Sequence, residues 1–178
     1  VLMEIGCAGP IAGFIVALPT LVYGLSLSYV SPLLGIEGVN FGSSLILNIC
    51  AKLVLGVDPL SSDLNINLHP IAFAGWIGML VTALNLMPIG QLDGGHIVFA
   101  LSPKQHKWTG RLFFLALIPL GYFWTGWFFW AVMIVLVGFK TAPLLDDTEE
   151  LGTLHRVLGL VSISIFLVTF IPIPFSLL

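Results

Sequence analysis

Apolar residues run almost unbroken from Cys7 to Val30, about the 20 that a helix needs to cross a bilayer, and predict a first membrane span. Its opening, Gly6-Cys7-Ala8-Gly9-Pro10-Ile11-Ala12-Gly13, places Gly9 and Gly13 four apart. Such a pair lets a neighbouring helix backbone come close, or its glycine face lines a site or a substrate path. From Ser31 to His69 the pattern is mixed, with Pro32, Gly35, Glu37, Gly38, Lys52, Asp58, Pro59 and Asp63. Inside it, Ser44 to Leu55 is largely apolar, with Asn48 and Lys52 on one helical face. Twelve residues are too few to span, so this stretch reads as an interfacial or partly inserted amphipathic helix followed by a loop.

A second span starts near Pro70 and runs to Leu101, interrupted at Pro88-Ile89-Gly90 and again at Gly94-Gly95. Ser102 to Gly110 reads as a short polar loop with Lys104, His106 and Lys107, and Arg111 stands at its edge. Leu112 to Phe139 is apolar and aromatic; its 28 residues form either one tilted span or a hairpin of two shorter helices. The cluster Trp124, Trp127 and Trp130 favours an interfacial turn near Trp124 to Trp127. The acidic run Asp146-Asp147-Thr148-Glu149-Glu150 reads as solvated surface, and a last span covers Leu154 to Phe170. The expected fold is all-α: a polytopic membrane helical bundle with about four spans plus an amphipathic or re-entrant segment, one transmembrane domain over 1–178.

Composition agrees with that pattern. Of the 178 residues 58% are hydrophobic and 8% charged, and the mean hydropathy is +1.08. Soluble domains carry about 25% charged residues, so much of this surface needs lipid as its solvent. The net charge of −3 with no basic run argues against nucleic acid as a partner. Cys7 and Cys50 lack metal-ligand spacing and read as apolar fillers. The loop holding Lys104, Lys107 and Arg111 outnumbers the Lys140 and Arg156 flanks in cations, which places it on the cytoplasmic side. No basic leader with a cleavage site is present, and the start at Val1 reads as abrupt, as though sequence upstream had been lost. The expected location is an integral, multi-pass position in the cell membrane.

Asp93 is the one acidic residue inside an apolar span. An ionised Asp at mid-membrane costs about 2.5 to 3.5 kcal/mol on insertion scales, so it needs a water-filled cavity, a counter-charge or a metal. Along an unbroken helix Asn85 and Asp93 would stand about 12 Å and about 80° apart, unable to serve one centre. Pro88 removes a backbone donor and Gly90 permits unusual dihedrals, so a break there swings the Asn85 amide back towards Asp93. A carboxylate, an amide and a cavity suit a zinc hydrolase, which takes three protein ligands and leaves one position open.

Asn85-Leu86-Met87-Pro88-Ile89-Gly90-Gln91-Leu92-Asp93-Gly94 resembles the Asn-Pro-x-Pro-x-x-x-Leu-Asp-Gly motif of the site-2 proteases, the intramembrane zinc metalloproteases. Ala8 to Gly13, the Gly94-Gly95-His96 extension, Leu145-Asp146-Asp147 and Phe170-Ile171-Pro172-Ile173-Pro174-Phe175 resemble the same family, so the likeness covers most of the chain. It implies that Asp93 is a carboxylate ligand of the catalytic zinc and that Asn85 positions substrate or stabilises the tetrahedral intermediate. Leu86 departs from the pattern, standing where the family often has its first Pro. The family's His-Glu-x-x-His helix, source of two ligands and the general base, is not in this sequence and is expected upstream of Val1.

The remaining histidines do not replace it. His96 shares a helical face with Asp93, as a hydrogen-bond partner near the metal or a polar contact in the bundle. His69 lies 24 residues before Asp93, towards the opposite membrane face, while His106 and His155 read as surface residues. The leading function is therefore the C-terminal part of an intramembrane zinc endopeptidase that cleaves transmembrane segments of substrate proteins, this fragment alone being inactive. A non-catalytic scaffold that binds membrane helices is the second reading. A proton or cation carrier using Asp93 is the third.

Overall fold

The computed structural model describes residues 2–32, 39–59, 64–137 and 152–177. The acidic run at 146–150, together with Glu37, Asp63 and Lys140, lies outside them. Among the described residues the chain is mostly helical: α1 (Leu2–Ser26), α2 (Leu45–Leu55), α3 (Pro70–Asn85), α4 (Asp93–Leu101), α5 (Pro103–Phe123), α6 (Gly126–Val137) and α7 (Thr153–Thr169). Four short strands accompany them: β1 (Tyr29–Pro32), β2 (Val39–Phe41), β3 (Leu64–Asn67) and β4 (Phe175–Leu177). Residues 1–11 with 84–166 form one compact unit, and residues 12–83 with 167–178 form another.

The second unit holds all four strands, which the hydropathy pattern did not reveal. β1 pairs antiparallel with β3, Tyr29 opposite Asn67, and β2 pairs antiparallel with β4, Phe41 opposite Phe175. The mixed stretch after α1 thus holds a ribbon closed by β3 and one strand whose partner, β4, lies far along the chain; β1 starts at Tyr29, and the first helix stops at Ser26 and not at Val30. The predicted amphipathic helix is present as α2. Ser44 caps it by accepting from the Leu47 N–H at 3.2 Å, and Gly56 ends it at φ 68°, a left-handed conformation that glycine adopts without strain. Its inner face, Leu47 and Cys50, joins Leu21, Leu25, Trp76, Met79 and Ile171 in the core. Trp76 donates from Nε1 to the Gly42 carbonyl at 2.8 Å, amid the rings of Phe41, Phe73 and Phe175. Within this unit α1 and α3 make backbone-close contact at Gly24 and Gly75, where a Cβ would meet the Ala72 and Leu21 backbones.

The first unit contains the end of α3, the break after it and α4. α3 ends at Asn85, residues 86–92 turn, and α4 starts at Asp93. Gly94 and Gly95, expected to interrupt the span, lie inside α4. The predicted loop at Ser102 to Gly110 is instead the start of α5, with Pro103 at the first helical position, where its missing N–H costs nothing. Polar residues misled there because an amphipathic helix start and a loop have the same composition. Of the two readings of Leu112 to Phe139, the hairpin holds: α5 ends at Phe123 and α6 begins at Gly126, the turn lying at Trp124-Thr125. Among the described residues one helix, Met3–Ser26, is by itself long and apolar enough to cross a membrane.

Candidate functional site

The turn between α3 and α4 is built by its own residues. Pro88 has no N–H to give to a helix, and Gly90 takes φ 53°. The chain between them turns tightly, Ile89 N donating to Met87 O at 2.8 Å and Leu92 N to Ile89 O at 3.2 Å. Leu86, Met87 and Ile89 are buried, so the irregular backbone is held inside the protein. The two glycines after Asp93 make this possible. A Cβ on Gly94 would collide with the Leu86 carbonyl, and one on Gly95 would meet the carbonyls of Gly90 and Ile89.

Asp93 is therefore the first residue of a helix, where the free N–H groups and the positive end of the helix dipole favour a carboxylate. It is half-buried. Across from it stands α1: a Cβ placed on Gly9 would lie 3.4 Å from Asp93 Oδ2, and one on Gly6 3.3 Å from the Asp93 backbone oxygen. Gly9 thus faces the carboxylate, close enough that a Cβ there would be in van der Waals contact with it. His96 sits one turn along α4, and its Nδ1 is buried with no hydrogen-bond partner.

Asn85, the last residue of α3, is exposed. The predicted break between Asn85 and Asp93 is present, yet among the described residues no hydrogen bond joins the two side chains. His69 is committed elsewhere, its Nδ1 accepting from the Ile71 N–H at 3.2 Å at the start of α3. His155 faces Glu4, Nε2 to Oε1 at 3.5 Å, half in solvent. His106 corrects the reading of it as a surface residue: it is 5% exposed in the first turn of α5. Its ring hydrogen-bonds the Gly95 backbone and meets Phe99 edge-on at 5.4 Å. The sequence around it, Lys104-Gln105-His106-Lys107, gave no sign of burial.

A zinc site takes three protein ligands. Among the described residues no group of three His, Cys, Asp or Glu comes together. Asp93 is the carboxylate that stands at a helix start there, half-buried and facing Gly9.

Comparison with known proteins gives a family. The model of peptidase family M50 matches residues 2–112. The probable zinc metalloprotease EGY1, chloroplastic, of Arabidopsis thaliana is 28% identical over 177 residues, covering 96% of this chain and 32% of its own length. The probable zinc metalloprotease EGY2, chloroplastic, of Oryza sativa subsp. indica is 32% identical over 179 residues, covering 98% of this chain and 32% of its own length. The DDT domain-containing protein PTM of Arabidopsis thaliana is 34% identical over 100 residues, 54% of this chain and 6% of its own. The chain spans about a third of the length of the two metalloprotease relatives. No solved structure matches. Both metalloproteases are named as chloroplastic, which lends no support to the expected cell membrane. With the family match running through α1, the Leu92-Asp93-Gly94 turn and the start of α5, this chain belongs to peptidase family M50, the site-2 protease family.

Proposed function

We propose that this chain is the part of a multi-pass intramembrane zinc endopeptidase that supplies the Leu92-Asp93-Gly94 ligand segment, and that the intact protein hydrolyses peptide bonds within transmembrane segments of its substrates. The observation that carries this is Asp93 itself: a half-buried carboxylate at the start of α4, after a broken span, opposite Gly9. Both metalloprotease relatives have zinc in their names. In this reading Asp93 is one protein ligand, and the other ligands and the general base come from outside these 178 residues. Zinc, when bound, polarises the scissile carbonyl and acidifies water. Asn85, exposed at the end of α3, meets the substrate backbone, and α1, the broken α3–α4 segment, the α5–α6 hairpin and α7 make the about four crossings.

The test is made on the full-length protein with a transmembrane reporter substrate. Asp93→Asn is expected to lose bound zinc and to lower cleavage at least about 100-fold; unchanged zinc content would falsify the ligand role. Asn85→Ala is expected to keep its zinc and to lose cleavage about 100- to 1000-fold, as removal of an oxyanion donor does elsewhere. Normal cleavage by that variant would rule out its catalytic part. The second reading is a scaffold that binds membrane helices without cutting them. A full-length protein that holds no zinc and cuts no reporter, yet still captures the reporter, selects it.

A further inference from the structure

The start of α5 carries Lys104, Lys107, Trp108 and Arg111, all exposed, Trp108 to 72%. At 3.6 residues per turn the four fall within an arc of about 100°. They share that face because residues 103–110 are helical, which a loop there would not achieve. The Arg111 guanidinium lies over the Trp108 ring, Cζ 5.9 Å from its centroid, a cation–π contact. The 21 residues of α5 include no Asp or Glu, so the cations have no counter-charge from their own helix. They also sit near its N-terminal end, where the helix dipole disfavours positive charge. Three of the chain's six Lys and Arg are concentrated here.

The same stripe then changes character. It continues as Leu115, Ile118 and Tyr122, all exposed, Tyr122 to 87%. From Lys104 to Tyr122 it runs about 27 Å at 1.5 Å per residue, close to the roughly 30 Å of a hydrocarbon core. A cationic and aromatic end on an apolar, outward-facing stripe matches the electrical profile of a leaflet with negative headgroups.

We propose that Lys104, Lys107, Trp108 and Arg111 form a binding site for the headgroups of anionic phospholipids. The two ammonium groups and the planar guanidinium donate to phosphodiester oxygens. Trp108 sits at headgroup level, and the acyl chains lie along Leu115 and Ile118. Each cation near an anionic leaflet strengthens attraction about fivefold, the equivalent of about 1 kcal/mol. The inference rests on the chain being embedded in a membrane and not on its being a peptidase.

The experiment uses the full-length protein, delipidated in neutral detergent and titrated with short-chain phosphatidylglycerol, with bound lipid counted by native mass spectrometry. Phosphatidylcholine of the same chain length and inorganic phosphate run as parallel arms. Phosphatidylglycerol is expected to bind at least about tenfold tighter than phosphatidylcholine. The variant K104Q/K107Q/R111Q is expected to lose that preference, and K104R/K107R/R111K to keep it, both with the parent's zinc content. Equal preference in the glutamine variant overturns the proposal, as does inorganic phosphate that displaces the lipid at equal concentration. On the unsubstituted protein, raising salt from about 0.01 M to about 1 M shortens the screening length from about 30 to about 3 Å, and must weaken phosphatidylglycerol binding. A salt-independent affinity sinks the idea without any variant. Loss of zinc by Asp93→Asn with lipid preference intact separates the two functions.

Discussion

A carboxylate withdrawn from water has to recover the cost of its desolvation, and the half-buried Asp93 recovers part of it from its place at the start of α4. That residue and the break before it were legible in the sequence, because proline and glycine act on their own backbone and need no tertiary partner to do so. Gly9 was legible only as half of a spacing; that it faces the Asp93 carboxylate depends on how α1 packs. Two substitutions separate its meanings. Gly9→Ala places a methyl at ordinary van der Waals distance, 3.4 Å from Asp93 Oδ2, and is expected to leave the zinc content of the full-length protein intact. Gly9→Leu fills the space in front of the carboxylate and is expected to abolish zinc binding while the melting temperature falls little. If Leu is as well tolerated as Ala for zinc and cleavage, the ligand does not occupy that space. Gly94→Ala acts differently, through collision with the Leu86 carbonyl. Overpacking of this kind typically costs about 1–3 kcal/mol, and thermal unfolding is expected to show it before any change in zinc affinity is measured.

At the scale of elements, what matters is how α4 is held at the angle that presents Asp93. The turn at 86–92 holds its N-terminal end, and His106 of α5 holds its first two turns through the Gly95 backbone and the Phe99 ring. A buried imidazole that has given up water for one backbone bond makes that bond costly to lose: leaving a buried polar group unmatched costs about 1–3 kcal/mol. His106→Leu keeps the volume and removes the donor; it is expected to destabilise the protein by about that amount and to weaken zinc retention. His106→Gln restores a donor and is expected to recover part of both. Equal behaviour of the two variants would mean that packing, not the hydrogen bond, is what His106 provides. Nothing local announced this contact, since burial of residue 106 follows from the pairing of α4 with α5. The strands were hidden for the same reason. Tyr29 finds Asn67, and Phe41 finds Phe175, across gaps that no window of hydropathy covers, whereas α2 was readable because Ser44, the apolar run and Gly56 are contiguous.

For the whole molecule the decisive quantity is the number of metal ligands. The family match over residues 2–112 includes parts of both compact units, so the likeness is not confined to the Asp93 turn. Yet a tetrahedral zinc with one open position takes three protein ligands, and the described residues bring no such trio together. A single carboxylate in competition with water holds zinc weakly, while three preorganised ligands hold it firmly. The 178-residue chain purified alone in detergent is therefore expected to carry far less than one zinc per chain after dialysis, and to cut no reporter. The full-length protein, treated alike, is expected to retain one. Added zinc should raise the melting temperature of the full-length protein and leave that of the isolated chain unmoved, because only a ligand that binds the folded state shifts its stability. Stoichiometric zinc on the isolated chain, lost again in Asp93→Asn, would instead require a complete site inside these residues. His96, with its buried and unpartnered Nδ1 one turn from Asp93, would then be the first side chain to substitute.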